Sequence, residues 1–344
     1  MYITSQYCIS AQHSSSGFNF SQAPESPAEN HFLAIEPPYS FIPVSSLRRM
    51  GKLVRMGLGA ALPLLQNTTP SAIIMATANA GKDDCVNFLN QIIEYDEGML
   101  TPLNFVQSTP NSLAGQIGLI SQNRGYNITH VQLGHAFENA LLDAQMWLTD
   151  HPETQVLLGA ADDLNRYHEL YEQKAGWVKA KSEGENNFLD SNTPGSFHGE
   201  AATMFMTSLS AKNAILKIAA VEIWDGEDEK DLTDRVERFL TAHHKGASQP
   251  VLYSGENGDC RILKYYNLME KSILDGAKFR YKQACGEFPT STSFALWLAG
   301  ESYLQKKWPL TLLKNGTVPD QMENILIYNC YKGIQHSLIL VEPV

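Results

Sequence analysis

The strongest pattern along the chain lies between Gln132 and Leu148. Leu133, Ala136, Phe137, Ala140, Leu141, Ala144 and Leu148 recur at the i, i+3, i+4, i+7 spacing of a helix with one buried stripe. Gln145 interrupts that spacing, so the stripe narrows towards its end. The polar run from Asp150 to Gln155 closes the helix, and the apolar run Val156 to Ala160 then reads as a buried strand. Upstream, Ser71 to Ala78 has the same character, and helices are expected over Asp83 to Tyr95 and Pro110 to Gln122, with Pro110 suited to a first turn. Strand, helix, strand in this order predicts a parallel α/β sheet.

Downstream of a polar, aromatic excursion at 163–198, strands are expected over Gly199 to Leu209, Lys212 to Trp224 and Val251 to Ser254. Helices are expected over Leu232 to Ala242 and Thr290 to Leu304, and a closing pair of strands over Asn324 to Asn329 and Ser337 to Val341. Two α/β stretches therefore follow one another, 1–210 and 211–344, with a seam near Ser210 and a likeness of element order rather than of sequence. Residues 14–46, rich in Ser, Pro and Asn, read as an irregular excursion. Then SLRRMGKLVRM forms a helix-like stretch with Arg48, Lys52 and Arg55 on one face and Arg49 beside them.

Composition narrows the function classes. Charged residues make up 18% of the 344 positions, below the ~25% usual for soluble domains, which points to a large core or an obligate interface. A net charge of -11 argues against nucleic acid, because a phosphate backbone needs a concentrated basic face. No run reaches the ~20 apolar residues of a membrane span, and the N-terminus lacks the charged and apolar regions of a secretory signal. The five cysteines are scattered without a CxxC pair, so neither a disulfide framework nor a zinc site is expected, and the thiols fit a reducing cytoplasm. His243 and His244 lack carboxylates at ligand spacing and read as a surface pair, so no metal and no cofactor are expected.

Several motifs together resemble β-ketoacyl synthases. The array Pro102, Phe105, Ser108, Asn111, Ala114 comes first, followed by HAFENALLDA, VLLGAADD, GEAATMFM from Gly199 and NCYKG from Asn329. RRMGKLVRM is similar to a segment of the short ketosynthase-like proteins of aryl polyene and flexirubin pigment clusters. The resemblance implies a thiolase-like α/β fold, with two similar halves in an α-β-α-β-α five-layer arrangement. It also implies acyl extension on a carrier protein, through a cysteine at a helix mouth and two histidines. Physically, a helix N-terminus makes a thiolate available, and placed donors stabilise charge on the thioester oxygen.

This chain departs from that pattern at all three places. The nucleophile position falls at His130, or at Val131 or Gln132 in a slipped register, and none is cysteine. The loop for the first histidine carries Ser254, and after Lys282 and Gly286 the second histidine is replaced by Glu287. An anionic glutamate would repel an oxyanion. Lys282 is retained and is expected to pair with Glu287 or Asp259. Cys285 beside it is expected to be a bystander thiol, and His130 to be buried and satisfied by backbone.

Losing nucleophile and stabilisers together is hard to reconcile with condensation, since such groups act as a unit. The resemblance then points to a chain-length factor: a catalytically silent subunit paired with an active ketosynthase, meeting an acyl carrier protein through Arg48, Arg49, Lys52 and Arg55. The rival expectation is a divergent 3-oxoacyl synthase, acyltransferase or decarboxylase using His130 or Ser254. A weaker one is a homodimeric module that only holds a carrier protein.

Overall fold

The structure, a computed structural model, describes every residue except Arg49, Asn67, 180–187, Ala247, Leu274 and Asp275. Strand β1 (Tyr2–Ser10) and the short β2 (His31–Phe32) precede helices α1 (Val44–Leu47) and α2 (Lys52–Leu65). Next come β3 (Ala72–Ala76), α3 (Lys82–Glu94), α4 (Pro102–Gln107), α5 (Ser112–Ile120), β4 (Tyr126–His130), α6 (Ala136–Asp150) and β5 (Val156–Asp162). Helix α7 (Arg166–Lys174) lies inside the polar excursion, before β6 (His198–Gly199) and β7 (Ala201–Ser208). The remainder runs β8 (Leu216–Asp225), α8 (Glu229–His243), β9 (Val251–Ser254), α9 (Leu263–Ser272), β10 (Lys278–Arg280), α10 (Lys282–Cys285) and α11 (Thr292–Gln305). It closes with β11 (Leu313–Asn315), β12 (Ile325–Tyr331) and β13 (Gln335–Pro343).

Eleven strands form one sheet in the order β11-β10-β9-β12-β13-β8-β1-β7-β5-β3-β4. Around α6 the expected parallel unit is present: β4 and β5 both run parallel to β3, with Ala72 opposite Tyr126 and Val156. The seam between the two stretches lies between β7 and β8, and β1 fills it, antiparallel to both. The sequence pattern does not mark β1 as a strand, yet it sits at the centre of the sheet. Its polar Gln6 is accommodated by donating to Trp297 O at 3.0 Å and Glu301 Oε1 at 3.0 Å.

Helices α6 and α11 pack on strands from both sides of the seam, and α11 is buried on every face from Thr292 to Tyr303. Helix α2 covers β1, β5 and β7, while α8 and α9 cover β8 and β12. The stripe of α6 is buried as its period requires, with Phe137, Ala140, Leu141, Ala144 and Leu148 fully enclosed. That burial also includes Glu138, one turn into the helix, which the apolar pattern does not foretell.

Two glycines test how tightly the elements meet. A Cβ at Gly199 would lie 1.8 Å from Cys285 O, so β6 can approach the 285–287 turn only without a side chain. Gly115, in the exposed face of α5, has nothing within 4 Å. Gly199→Ala should lower the thermal midpoint, at a cost of at least about 1–3 kcal/mol from overpacking. Gly115→Ala should raise it slightly, by about 0.5–1 kcal/mol of helix propensity. Thermal melts of the two variants check both signs.

Candidate functional site

The mouth of α6 is built from the end of β4, a tight turn over Leu133–His135 and the β12–β13 hairpin. His130 ends β4 half-buried, and its Nε2 bonds Asp143 Oδ2 at 2.9 Å. The expectation of an enclosed, backbone-satisfied histidine is therefore corrected: the ring is half-buried beside α6, and the carboxylate of Asp143, about two turns into the helix, holds it. Val131 and Gln132 are exposed, and Leu133 takes a positive φ of 53°, a costly conformation for a branched side chain.

Burial begins at Gly134, directly beneath Tyr331. A Cβ at Gly134 would stand 2.4 Å from Tyr331 Cβ and 2.7 Å from its Cγ. Gly134 N donates to Gln335 Oε1 at 2.9 Å, so an orphan amide of this helix start is satisfied from the same hairpin. Tyr331 thus packs directly against the start of the helix, and His130, Val131 and Gln132 lie outside that contact, His130 half-buried and the other two exposed.

Behind the mouth lies a buried polar centre. Lys282 is fully enclosed, and its Nζ donates to Glu287 Oε2 at 2.7 Å and Asn329 Oδ1 at 2.7 Å. Asn257 Nδ2 donates to the same Glu287 oxygen at 2.6 Å. Of the two partners expected for Lys282, Glu287 is the one found, while Asp259 pairs with Arg261. Glu287 Oε1 and Asn329 Nδ2 are enclosed without a hydrogen-bond partner among the described residues. The carboxylate and the ammonium are thus paired with each other inside the molecule.

Ser254 is enclosed at the end of β9, where its Oγ accepts from Glu256 N at 3.3 Å. It shapes the turn, and no base among the described residues bonds it, which removes the motive for reading it as a nucleophile. Cys285 is buried, and desolvation first of all raises its thiol pKa well above the ordinary value, against a lowering by the Lys282 charge. It is the bystander thiol expected. His243 is exposed and His244 bonds Ser248 O and Asn324, and no group of three metal-ligating side chains occurs among the described residues.

The basic face of α2 is largely spent inside the molecule. Lys52 pairs with the fully buried Glu200, and Arg55 grips Glu36 through Nε and Nη2 at 2.6 Å each. Arg48 is exposed, and Arg49 lies outside the described residues. Of the four cations expected to meet a carrier protein or partner, two, Lys52 and Arg55, are therefore paired within the molecule.

The excursion at 163–198 supplies residues that sequence reasoning passed over. Asp163, Asn165, His168, Glu169, Glu172 and His198 line a narrow cleft with a cavity volume of ≈ 30 Å³, whose other wall holds Glu287, Tyr331 and Lys332. Asp162 anchors its floor: Oδ1 accepts from Thr77 Oγ1, Ala78 N and Asn79 N, and Oδ2 from Thr290 Oγ1. Lys332, at a positive φ of 54°, reaches Glu172 at 2.6 Å and ties the hairpin to α7. The only sequence signals were the polarity of the excursion and a histidine placed directly before Gly199-Glu200.

Residues 19–181 match the family model described as beta-ketoacyl synthase, N-terminal domain. No curated protein matches the sequence. A beta-ketoacyl synthase from Burkholderia phymatum STM815 is similar in structure, with TM-score 0.78, 12% identity and coverage of 100% of this chain and 99% of that one. The ketosynthase ApeO in complex with its chain length factor ApeC, from Xenorhabdus doucetiae, gives TM-score 0.75 at 10% identity, covering 100% and 98%. The ishigamide ketosynthase/chain length factor gives 0.71 at 13%, covering 100% and 99%. The whole chain therefore has the mixed α/β ketosynthase (thiolase-like) fold.

Two stability experiments follow from the buried centre. Glu287→Ala should cost about 3–5 kcal/mol in denaturant titration, because it strips the carboxylate from an enclosed ammonium. Lys282→Met with Glu287→Leu should cost less than the sum of the single changes. Glu138 has its pKa raised from 4.5 to about 7, above all by desolvation, with Ser337, Thr292 and Lys282 pulling the other way. Its folded-state pKa exceeds its unfolded one, so the native state binds more protons between the two values and stability falls as pH rises from about 4.5 to about 7. Glu138→Gln should match the wild type near pH 4 and exceed it above pH 8 by on the order of 3 kcal/mol.

Proposed function

We propose that this chain is a ketosynthase-fold subunit silent in carbon–carbon condensation. It would act as a chain-length factor that pairs with an active ketosynthase and serves an acyl carrier protein in polyene, fatty acyl or polyketide-type biosynthesis. The observation that carries the reading is the Tyr331 side chain seated on Gly134, which fills the helix mouth where an acyl group would be received. The Lys282–Glu287 pair adds to it, since both charges are consumed by each other. We extend the reading to two similar halves, 1–210 and 211–344, in five layers, with α6 and α11 between the strands of both.

A protein-sized partner is favoured by one edge of the sheet. Strand β4 is terminal in the strand order, and its outer backbone groups offer a ready template for another strand. Leu119 of α5, the helix that packs on β3 and β4, is 79% exposed, and in the preceding segment Ile93, Met99, Phe105 and Val106 are 81%, 90%, 60% and 63% exposed. Patches of this kind mark interfaces rather than free surface. Two solved chains of similar fold are described as complexes of a ketosynthase with its chain length factor or as such a pair.

The test is enzymatic and physical. Purified alone, the protein should give no condensation of acyl-carrier with malonyl-carrier thioesters, and co-expressed with its cognate ketosynthase it should co-purify in equal amounts. Condensation by the isolated chain would sink the proposal. Gln132→Cys should also leave it inactive, because a thiol there still lacks a pocket and histidines, and carbon–carbon bond formation by that variant would contradict the reading.

A further inference from the structure

The cleft between α7 and the β12–β13 hairpin contains an arrangement that a silent subunit does not require. Glu169 bridges two imidazoles, with Oε1 bonded to His31 Nε2 at 2.8 Å and Oε2 to His198 Nδ1 at 2.8 Å. Burial works to raise the Glu169 pKa, but the hydrogen bonds and charges of His198 and His31 outweigh it and hold the carboxyl well below the usual range. An ionised carboxylate only accepts, so the shared proton sits on His198 Nδ1. In the neutral ring this leaves Nε2 as an unprotonated acceptor, and Nε2 makes no hydrogen bond among the described residues. It is not sealed in either, since the side chain keeps 10% exposure and lines the cleft.

The surroundings make this histidine different from its neighbour. His168 lies 3.5 Å from Glu172 and is pushed to about 4, first by desolvation and then by the Lys82 charge. It therefore stays neutral and is a weak base. His198 instead has a carboxylate directly behind it, the orientation that fixes the tautomer and turns the opposite nitrogen towards the cleft. The cavity of ≈ 30 Å³ has room for a water beside Nε2. Lys332, fixed by Glu172 at 2.6 Å, places a cation on the same cleft, and Glu287 faces it from the turn to which His198 is paired.

We propose that His198, positioned by Glu169, is a general base that activates water in this cleft against an activated acyl carbonyl, a thioester or an ester. His198 Nε2 takes a proton from water as its oxygen bonds to the carbonyl carbon. The tetrahedral adduct then expels the thiolate or alkoxide, which receives that proton from the imidazolium, giving a carboxylic acid and a thiol or alcohol. Hydrolysis of this kind is separate from condensation. Only the choice of a thioester rests on the chain-length-factor reading; the ester arm does not.

The purified full chain is assayed with an acyl-N-acetylcysteamine thioester and with p-nitrophenyl acetate. Hydrolysis above the buffer rate is expected, and about a 10²-fold loss in His198→Gln with the thermal midpoint retained. Glu169→Gln should lower the rate and move the acidic limb of the pH–rate profile, where the base takes up its proton, to lower pH, which a purely structural role would not do. Activity on the ester alone upholds the dyad and counts against the thioester. Wild-type protein no faster than buffer on either compound, or His198→Gln as fast as wild type, would overturn the proposal. If that variant fails to fold, the wild-type rate and the Glu169→Gln profile decide. A failed co-purification with a ketosynthase would leave this result untouched.

Discussion

An ammonium group taken fully out of water must be matched locally, and in this protein the matching of Lys282 organises the centre of the molecule. The cation draws together the 282–287 turn through Glu287, strand β12 through Asn329 and, through the shared carboxylate, the β9 loop through Asn257. Once the turn is fixed, Gly199 can lie against Cys285 O, and β6 brings His198 to the cleft wall. An uncompensated buried charge costs several kcal/mol, so none of these elements can withdraw independently. The arrangement sacrifices any free donor at this place in exchange for register.

Two closures around that centre define what the site can admit. On one side the β12–β13 hairpin lowers Tyr331 onto Gly134 and gives Gln335 to the helix start. On the other, α7 is pinned to the hairpin by Glu172 and Lys332, and to the early chain by the Glu169 bridge between His31 and His198. The helix start is thus closed by packing from the hairpin. What stays open to water is the cleft beside it, whose polar groups come from the excursion rather than from the helix.

Much of the scaffold is legible in the sequence because burial there is periodic. The α6 stripe and the continuous apolar run of β5 follow directly from spacing, whereas for Lys282 the sequence leaves two carboxylates, Glu287 and Asp259, and the fold selects the first. Strand β1 is not readable, because Thr4, Ser5 and Gln6 interrupt its apolar pattern and their burial depends on partners 200 or more residues away, such as Met206 and Glu301. Glu138 is hidden for a related reason: the helical period places it among polar positions, yet it is the one residue outside the apolar stripe of α6 that is buried. His31, Glu169 and His198 converge only through the short β2–β6 pairing and α7, and no local spacing encodes that meeting. For α2 the sequence shows the cations but not their consumption, since Glu36 and Glu200 lie outside the helix.

The place of β1 bears on the order in which the chain can assemble. Its first residues face Ser208 on one side and Lys217 on the other, so this early segment gains its second neighbour only after more than 200 further residues exist. A sheet whose middle rung joins such distant partners has a high contact order and pays its loop-closure entropy before the pairing rewards it. During synthesis the nascent β1 must therefore wait, with both edges unpaired, for most of the polypeptide to emerge. An unpaired strand edge held open in this way is where aggregation competes with folding.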